Sequence, residues 1–288
     1  MSNTISQVRS QLAKALFPLY GEQEAGQMIK ILFEHFCGIS GTSMTLRKNE
    51  FLPDSQYVKL QEALQKLSDH IPIQYITGKT WFYNQNFEVN PSVLIPRPET
   101  EELVDLIVTE TNKPFIRNDY RLLDIGTGSG CIAVSIKKVF PNLEVNACDI
   151  SEDALLVARR NAELAGTSVH FFKADILQWR EWADNSLFNL IVSNPPYVCE
   201  QEKSQMQPNV LEHEPAMALF VPDDDPLKFY RAIAAFAVSR LAQDGRLFFE
   251  INENFGHETS LLLDSLGFSD IKVRKDFRGK DRFITATK

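Results

Sequence analysis

From Glu99 to the C-terminus, short apolar runs alternate with segments of helical spacing, and few folds accept that alternation. Strands are predicted at 121–125, 143–148, 168–173, 187–193 and 245–251, with helices at 99–111, 130–139, 152–165, 226–242 and 256–266. Strands that alternate with helices build a parallel sheet covered on both faces. Two further strands are predicted at 270–275 and 281–287, and they lie too close together for a helical crossover, so one of them is expected to run antiparallel. The expectation is an α/β domain around a mixed seven-stranded sheet.

The first part of the chain has a different rhythm. Ile5, Val8, Leu12 and Leu16 recur at helical spacing, and Ala25, Met28, Ile29, Leu32, Phe33 and Phe36 do so again. Leu60, Leu64 and Leu67 mark another helix, with interruptions at Gly38–Ser43 and Leu52–Ser55. Residues 1–75 are therefore read as a small helical domain whose apolar stripes form its core. Residues 76–98 hold Trp81, Phe82, Tyr83, a break at Asn84-Gln85-Asn86, then Phe87 and Val89, which reads as a β-hairpin linker. Residues 99–288 form the α/β domain.

Two motifs within that domain carry chemistry. In the first, Leu122-Leu123-Asp124-Ile125 runs into Gly126-Thr127-Gly128-Ser129-Gly130, and a helix begins at Cys131. Glycines let a backbone approach a ligand closely, and a helix N-terminus favours a negative group. The spacing G-x-G-x-G differs from the dinucleotide pattern G-x-G-x-x-G. Asp149 ends the next strand, at about the 20-residue distance expected of a ribose-binding acid. Asp175 ends a third strand, where a carboxylate can accept from an adenine amino group or cap the helix that follows. Both roles can hold together.

The second motif is Asn194-Pro195-Pro196-Tyr197, directly after the apolar run Phe188–Val192. It sits where an open α/β sheet presents its ligand, at the carboxyl end of a strand. Two prolines remove two N–H donors, and a residue before proline is held extended. What remains is a rigid turn of acceptors: the Asn194 side-chain oxygen and the carbonyls of Asn194 and Pro195. Such a turn suits a planar –NH2 group, with Tyr197 as a ring to stack on it.

Taken together, these residues resemble class I S-adenosylmethionine-dependent methyltransferases that act on a planar amino nitrogen. DNA adenine-N6 enzymes and protein glutamine-N5 enzymes share the Asn-Pro-Pro-Tyr turn. A further signature separates them. Gln74-Tyr75-Ile76-Thr77-Gly78, Phe87 and Val93-Leu94-Ile95-Pro96-Arg97-Pro98-Glu99-Thr100-Glu101 resemble the bacterial peptide chain release factor glutamine methyltransferases (the PrmC/HemK family). The likeness continues through Glu214-Pro215, Ala218-Leu219, Phe229-Tyr230-Arg231 and Phe249-Glu250-Ile251 to Asp276 and Asp281-Arg282. Val221-Pro222-Asp223-Asp224-Asp225-Pro226 and Asn252-Glu253-Asn254 depart from the family pattern, and both read as loops at the site rim.

The resemblance implies a Rossmann-like methyltransferase domain preceded by a helical substrate-recognition domain. It implies a reaction that leaves S-adenosylhomocysteine, with the Gly-Gly-Gln glutamine of class I release factors as methyl acceptor. Cofactor binding is expected at Asp124, Gly126, Thr127, Gly128, Gly130, Asp149, Ile150, Asp175 and Asn194. Asn194, Pro195 and Tyr197 are the expected catalytic residues. Pro196, Arg97 and Glu99 join them as expected substrate contacts, although Thr100 or Glu99 is also read as a cap for the helix from 99. His213 is read as part of a solvated loop, and Arg278, Lys280 and Arg282 as a basic turn.

Charge separates the remaining readings. The net charge is −8. Residues 1–80 hold 8 basic and 7 acidic residues, and the remaining residues, 81–288, hold 22 basic and 31 acidic ones, a net −9. A DNA-modifying enzyme needs a basic groove for phosphates and a means of flipping its base, so direct DNA binding is not expected. A methyltransferase of ribosomal protein and a non-enzymatic cofactor sensor remain as rivals. The four cysteines show no paired spacing and the five histidines no metal spacing. No apolar run approaches ~18 residues, so no membrane span is expected. Met1–Gln11 lacks the layout of a signal peptide. A cytoplasmic monomer is the expectation.

Overall fold

The computed structural model describes residues 3–111 and 120–288. They form two compact units, Met1–Gly78 with Gln207–His213, and Lys79–Met206 with Glu214–Lys288.

The first unit is helical: α1 (Ile5–Cys37), α2 (Gly41–Leu46), α3 (Asp54–Ser68) and α4 (Ile73–Thr77). Thr4 starts α1 with a capping box. Its hydroxyl accepts the Gln7 N–H, and the Gln7 carboxamide accepts the Thr4 N–H. Helical geometry fails at Gly21, where φ is +72°, three residues after Pro18. That break explains why the apolar spacing comes in two runs. Ile5, Val8, Leu12 and Leu16 precede it, Ala25, Met28, Ile29, Leu32 and Phe33 follow it, and all are buried with Leu60 and Leu67 in one core. His213 is not in a solvated loop. It ends a short helix, and its Nε2 lies 2.8 Å from the Asp69 carbonyl. A carbonyl only accepts, so that nitrogen carries the proton.

The second unit begins with the hairpin β1 (Lys79–Phe82) and β2 (Gln85–Glu88), paired antiparallel. The turn is Tyr83-Asn84, with φ of +43° and +62°, and not the expected Asn84–Asn86. Positive φ at both central positions matches the twist of a two-residue hairpin. No glycine announces it. Contacts from distant residues hold the strained tyrosine: Glu101 accepts the Tyr83 N–H at 3.1 Å and Asp105 accepts its hydroxyl at 2.7 Å.

The chain then alternates through α5 (Pro98–Glu110), β3 (Arg121–Ile125), α6 (Cys131–Val139), β4 (Glu144–Asp149), α7 (Glu152–Ala165) and β5 (His170–Lys173). Next come α8 (Trp179–Trp182), β6 (Phe188–Ser193), β7 (Val198–Cys199), α9 (Pro208–His213, in the first unit), α10 (Ala216–Leu219) and β8 (Phe220–Val221). The chain ends with α11 (Lys228–Arg240), β9 (Leu241–Glu250), α12 (Gly256–Ser265), β10 (Ser269–Lys275) and β11 (Asp281–Thr287).

Seven strands form one sheet in the order β10-β11-β9-β6-β3-β4-β5. The central pairs are parallel, while β11 runs antiparallel to both β9 and β10. The expected mixed sheet with one reversed strand is thus present. Side chains alternate across it. Leu123, Ile125, Ile191, Leu247 and Phe249 enter the core under α11, whereas Leu122, Leu190, Val192 and Phe248 enter the core under α5 and α6. Both faces of the central strands are buried, which accounts for their continuous apolar runs.

Candidate active site

The carboxyl ends of β3, β4 and β6 lie side by side, because their parallel registers align Ile125 with Cys148 and with Ser193. The Ser193 hydroxyl donates to the Ile125 carbonyl at 2.6 Å and pins the two strand ends together. A cavity of about 300 Å³ opens there, and its walls include Gly126, Gly128, Asp149, Asp175, Asn194 and Pro195. These residues, up to 69 positions apart in sequence, come together as expected.

The glycine turn is built by its neighbours. Gly126 and Thr127 donate N–H groups to the Cys148 carbonyl at 2.9 and 3.0 Å. Gly126, Gly128 and Gly130 all have positive φ, a region that costs side-chain-bearing residues free energy. A Cβ on Gly126 or Gly128 would point into open space, whereas one on Gly130 would lie 3.1 Å from the Ala158 Cβ. Gly130 therefore serves close helix packing, and the other two leave room for a ligand. Gly130→Ala combines positive φ with that overlap, so a loss of about 2–4 kcal/mol in unfolding free energy is expected. Urea denaturation followed by circular dichroism measures it.

Asp149 carries the edge of the cavity. One carboxylate oxygen accepts the Gly128 N–H and the other the Ser151 N–H, each at 2.9 Å. Each oxygen keeps a further lone pair. Burial raises the Asp149 carboxyl above its ordinary range, opposed by the N–H groups of Ser151, Gly128 and Ile150. Asp175 takes the capping role expected of it and also stands at the cavity. Its Oδ1 accepts the Leu177 N–H at 2.9 Å as an N-cap, and the residue lines the cavity. Ile150 and Leu177, 46% and 39% exposed, line the same cavity. Apolar side chains left open beside two carboxylates suit the faces of a flat ring with polar edges.

Asp124, Thr127 and Gly130 do not line the cavity. Asp124 is fully buried, and its Oδ2 accepts the Thr127 hydroxyl at 2.6 Å. Burial pushes its carboxyl up to about 7, with the Thr127 hydrogen bond opposing. Its Oδ1 has no hydrogen-bond partner among the described residues. These three shape the glycine turn from behind.

At the Asn194 turn, Asn194, Pro195 and Pro196 line the cavity. The Asn194 Nδ2 donates to the Thr100 hydroxyl at 3.2 Å, and Thr100 in turn donates to Glu250 at 2.7 Å. Among the described residues no hydrogen bond engages the Asn194 side-chain oxygen or the carbonyls of Asn194 and Pro195. The acceptor-rich turn keeps its acceptors free. Tyr197 does not line the cavity. Its ring packs against the core and its hydroxyl donates to Glu250 at 3.2 Å.

Several expectations about neighbouring residues change. Neither Thr100 nor Glu99 caps α5, whose first turn makes no side-chain cap hydrogen bond, because the Thr100 hydroxyl is turned to Glu250. Arg97 and Glu99 stay off the cavity wall. Arg97 pairs with buried Glu214 at 2.6 Å, and Glu214 also accepts the Ile95 N–H. Glu99 faces Arg278 at 3.7 Å, and Arg282 bonds Asp276 at 3.1 Å, so the basic turn is partly neutralised. Asn252 is no rim residue. It is buried, and its Nδ2 donates to the Tyr197 carbonyl and to Glu202. Asp225 in the other divergent loop forms a two-point pair with Arg231. Sequence reasoning missed Thr100, Glu250 and Asn252 as supports of the turn. The one local signal was a lone acid at the end of the apolar run Leu247–Phe249.

The chain matches the family model "PrmC N-terminal domain" over residues 5–78 and "Methyltransferase small domain" over residues 103–217. It is 41% identical to the release factor glutamine methyltransferase of Bacteroides thetaiotaomicron, over 99% of this chain and 100% of that protein. Against the protein of the same name from Flavobacterium psychrophilum it is 42% identical, over 97% and 98%. Among solved structures, the 16S rRNA N2 G1207 methyltransferase of T. thermophilus, in complex with AdoMet and guanosine, superposes with a TM-score of 0.53 at 17% identity, over 73% of this chain and 49% of that one. That likeness speaks for the sheet alone. Identity of this order along the whole chain goes further: the protein belongs to the release factor glutamine methyltransferase family.

Proposed function

We propose that this enzyme transfers a methyl group from S-adenosylmethionine to the side-chain amide nitrogen (N5) of a glutamine, the one in the Gly-Gly-Gln motif of class I peptide chain release factors, and so modulates translation termination. The observation that carries the reading is the turn at Asn194: three acceptors without partners among the described residues, on the wall that also carries the glycine turn and Asp149.

The residues present fit the cofactor. Gly126 and Gly128 leave space where side chains would stand, and Asp149 retains lone pairs for two ribose hydroxyls. Ile150 and Leu177 offer apolar faces to adenine, and Asp175 an acceptor for its amino group. When bound, S-adenosylmethionine supplies a methyl group on a sulfonium, an electrophile that needs no further activation.

The chain's own task is to orient a poor nucleophile, since an amide lone pair is delocalised into its carbonyl. In our reading the Asn194 side-chain oxygen and the Pro195 carbonyl each accept one N–H of the glutamine carboxamide. Two fixed acceptors localise the lone pair and aim it across the cavity. Alignment of two reactants contributes up to roughly 7–11 kcal/mol. Pro196 closes the wall, and Tyr197 holds the turn from its buried side. No strong base is required, because the N–H proton becomes acidic as the new N–C bond forms and the S–C bond breaks, and it can leave to water.

A single side chain offers little binding area, so the helical unit is read as the grip on a more distant part of the release factor. All four cysteines are unpaired, and no helix among the described residues is long and apolar enough to cross a membrane. We read the enzyme as a cytoplasmic monomer that does not bind DNA directly. Incubation with purified release factor and isotopically labelled methyl donor tests the activity. One added methyl on the tryptic peptide carrying Gly-Gly-Gln, located on its glutamine, is the expected result. Label on another residue, or on DNA or ribosomal protein instead, defeats the reading.

A further inference from the structure

We propose that Thr100 and Glu250 are positioning residues that decide which end of the Asn194 carboxamide faces the methyl acceptor. The inference rests on the role given to Asn194 above and deepens it. Oxygen and nitrogen of a carboxamide have nearly the same shape, so the protein needs a device that tells them apart. The hydrogen-bond chain provides one. An ionised Glu250 can only accept, so its two oxygens take the protons of Thr100 (2.7 Å) and Tyr197 (3.2 Å). Thr100 has one proton and has spent it. The lone pair it turns to Asn194 can only accept, and it selects the –NH2 end, at 3.2 Å. The Asn194 oxygen is thereby left for the acceptor amide.

The middle of the chain is buried: Thr100 is 3% exposed and Glu250 1%. Solvent cannot replace its bonds, so the sense of the amide is held strongly. The sense also depends on one proton. Once protonated, Glu250 can donate to Thr100, and the freed Thr100 proton points at Asn194 and selects its oxygen. The –NH2 end then faces the acceptor amide, donor against donor. Burial pushes the Glu250 carboxyl up to about 7, while hydrogen bonds from Thr100 and Tyr197 and the charge of Arg282 oppose that rise and Glu99 assists it. Tyr230, whose hydroxyl donates to the Glu250 carbonyl, and buried Cys131 also lie beside it. The competent form is the ionised one, so turnover falls as pH drops through this value.

The experiment compares Thr100→Val, Thr100→Ser, Glu250→Gln and Asn194→Asp in steady-state methylation of release factor at saturating methyl donor, with donor affinity by calorimetry. Thr100→Val keeps the shape and removes the hydroxyl, and kcat is expected to fall about 10–100-fold with donor Kd unchanged, because a misdirected reacting group costs this much. Thr100→Ser restores kcat to within about 3-fold, since it returns the proton and the lone pair. Wild-type kcat shows an acid limb near pH 7 that Glu250→Gln lacks. Asp124 titrates in the same range, but it touches the glycine turn and so acts on donor affinity, which saturation removes. Full kcat in Thr100→Val overturns the inference, as does a Thr100→Ser enzyme no better than Thr100→Val. Should Thr100→Val not fold, the same acid limb in Glu250→Gln overturns it. If Asn194→Asp itself keeps normal kcat, the role of Asn194 fails. If Asn194→Asp is impaired and Thr100→Val is not, only the positioning role fails.

Discussion

Asn194→Asp is expected to lower kcat by roughly 10²–10³-fold, the usual cost of one preorganised polar group aimed at a reacting centre, while S-adenosylmethionine still binds. The substitution is nearly isosteric, so its effect isolates chemistry from shape. It removes the –NH2 group with which Asn194 holds Thr100. It also places a second carboxylate on the hydroxyl that already serves Glu250. Two anions that share one proton repel, and relief comes by rotation of the side chain or by uptake of a proton. Either outcome spoils the pair of acceptors that the Asn194 oxygen and the Pro195 carbonyl present. The cofactor cradle is made by other residues, Gly128, Asp149 and Asp175, so donor affinity should stay within about 3-fold, as expected for separate contacts. Single-turnover methylation with calorimetric donor binding reads both quantities. A turn-former with no chemical role predicts little change in either.

The sequence and the structure agree best where the signal is local. The glycine turn, the acids at the ends of β4 and β5 and the double proline after β6 are each written in fewer than ten consecutive residues. Their meeting follows from the parallel sheet that the alternation of elements already requires. The supports of the Asn194 turn were not legible, because they are contacts across long stretches of chain. Thr100 and Glu250 are 150 residues apart, and Asn252 reaches Tyr197 from 55 residues away. Read locally, Thr100 at the start of a helix looks like a cap, which is the common use of threonine there. Asn252 in a polar triplet after a strand likewise looks like surface loop. The Tyr83-Asn84 turn was misplaced for the same reason. The strained φ of Tyr83 is stabilised by Glu101 and Asp105 from α5, and of the two turn positions only Asn84 is a residue type that reports a turn.

Asp149→Ala is expected to have the complementary phenotype, a large loss of donor affinity with far less change in kcat once donor is saturating. Its carboxylate sits on the cavity wall with one lone pair per oxygen beyond those used by Gly128 and Ser151. Two hydrogen bonds from ribose hydroxyls to an ionised acceptor are worth about 1.5–3 kcal/mol each. Their loss raises Kd by at least roughly 10²-fold at 1.4 kcal/mol per decade. The Gly128 N–H also loses its anchor, which adds to the effect by loosening the glycine turn. Asp149→Asn keeps one neutral acceptor oxygen and should fall between the two. The sign of the pH dependence follows from the direction in which burial moves this carboxyl. Its folded value is raised, and the form that accepts from ribose is the ionised one. Donor affinity should therefore weaken on acidification earlier than an ordinary carboxylate would allow. Calorimetric titration with S-adenosylhomocysteine between pH 5 and 8 measures both effects. An affinity within about 3-fold of wild type in Asp149→Ala is a change too small for two charge-assisted bonds. It would reduce Asp149 to an anchor for the Gly128 and Ser151 backbone, and leave the ribose to be held elsewhere on the cavity wall.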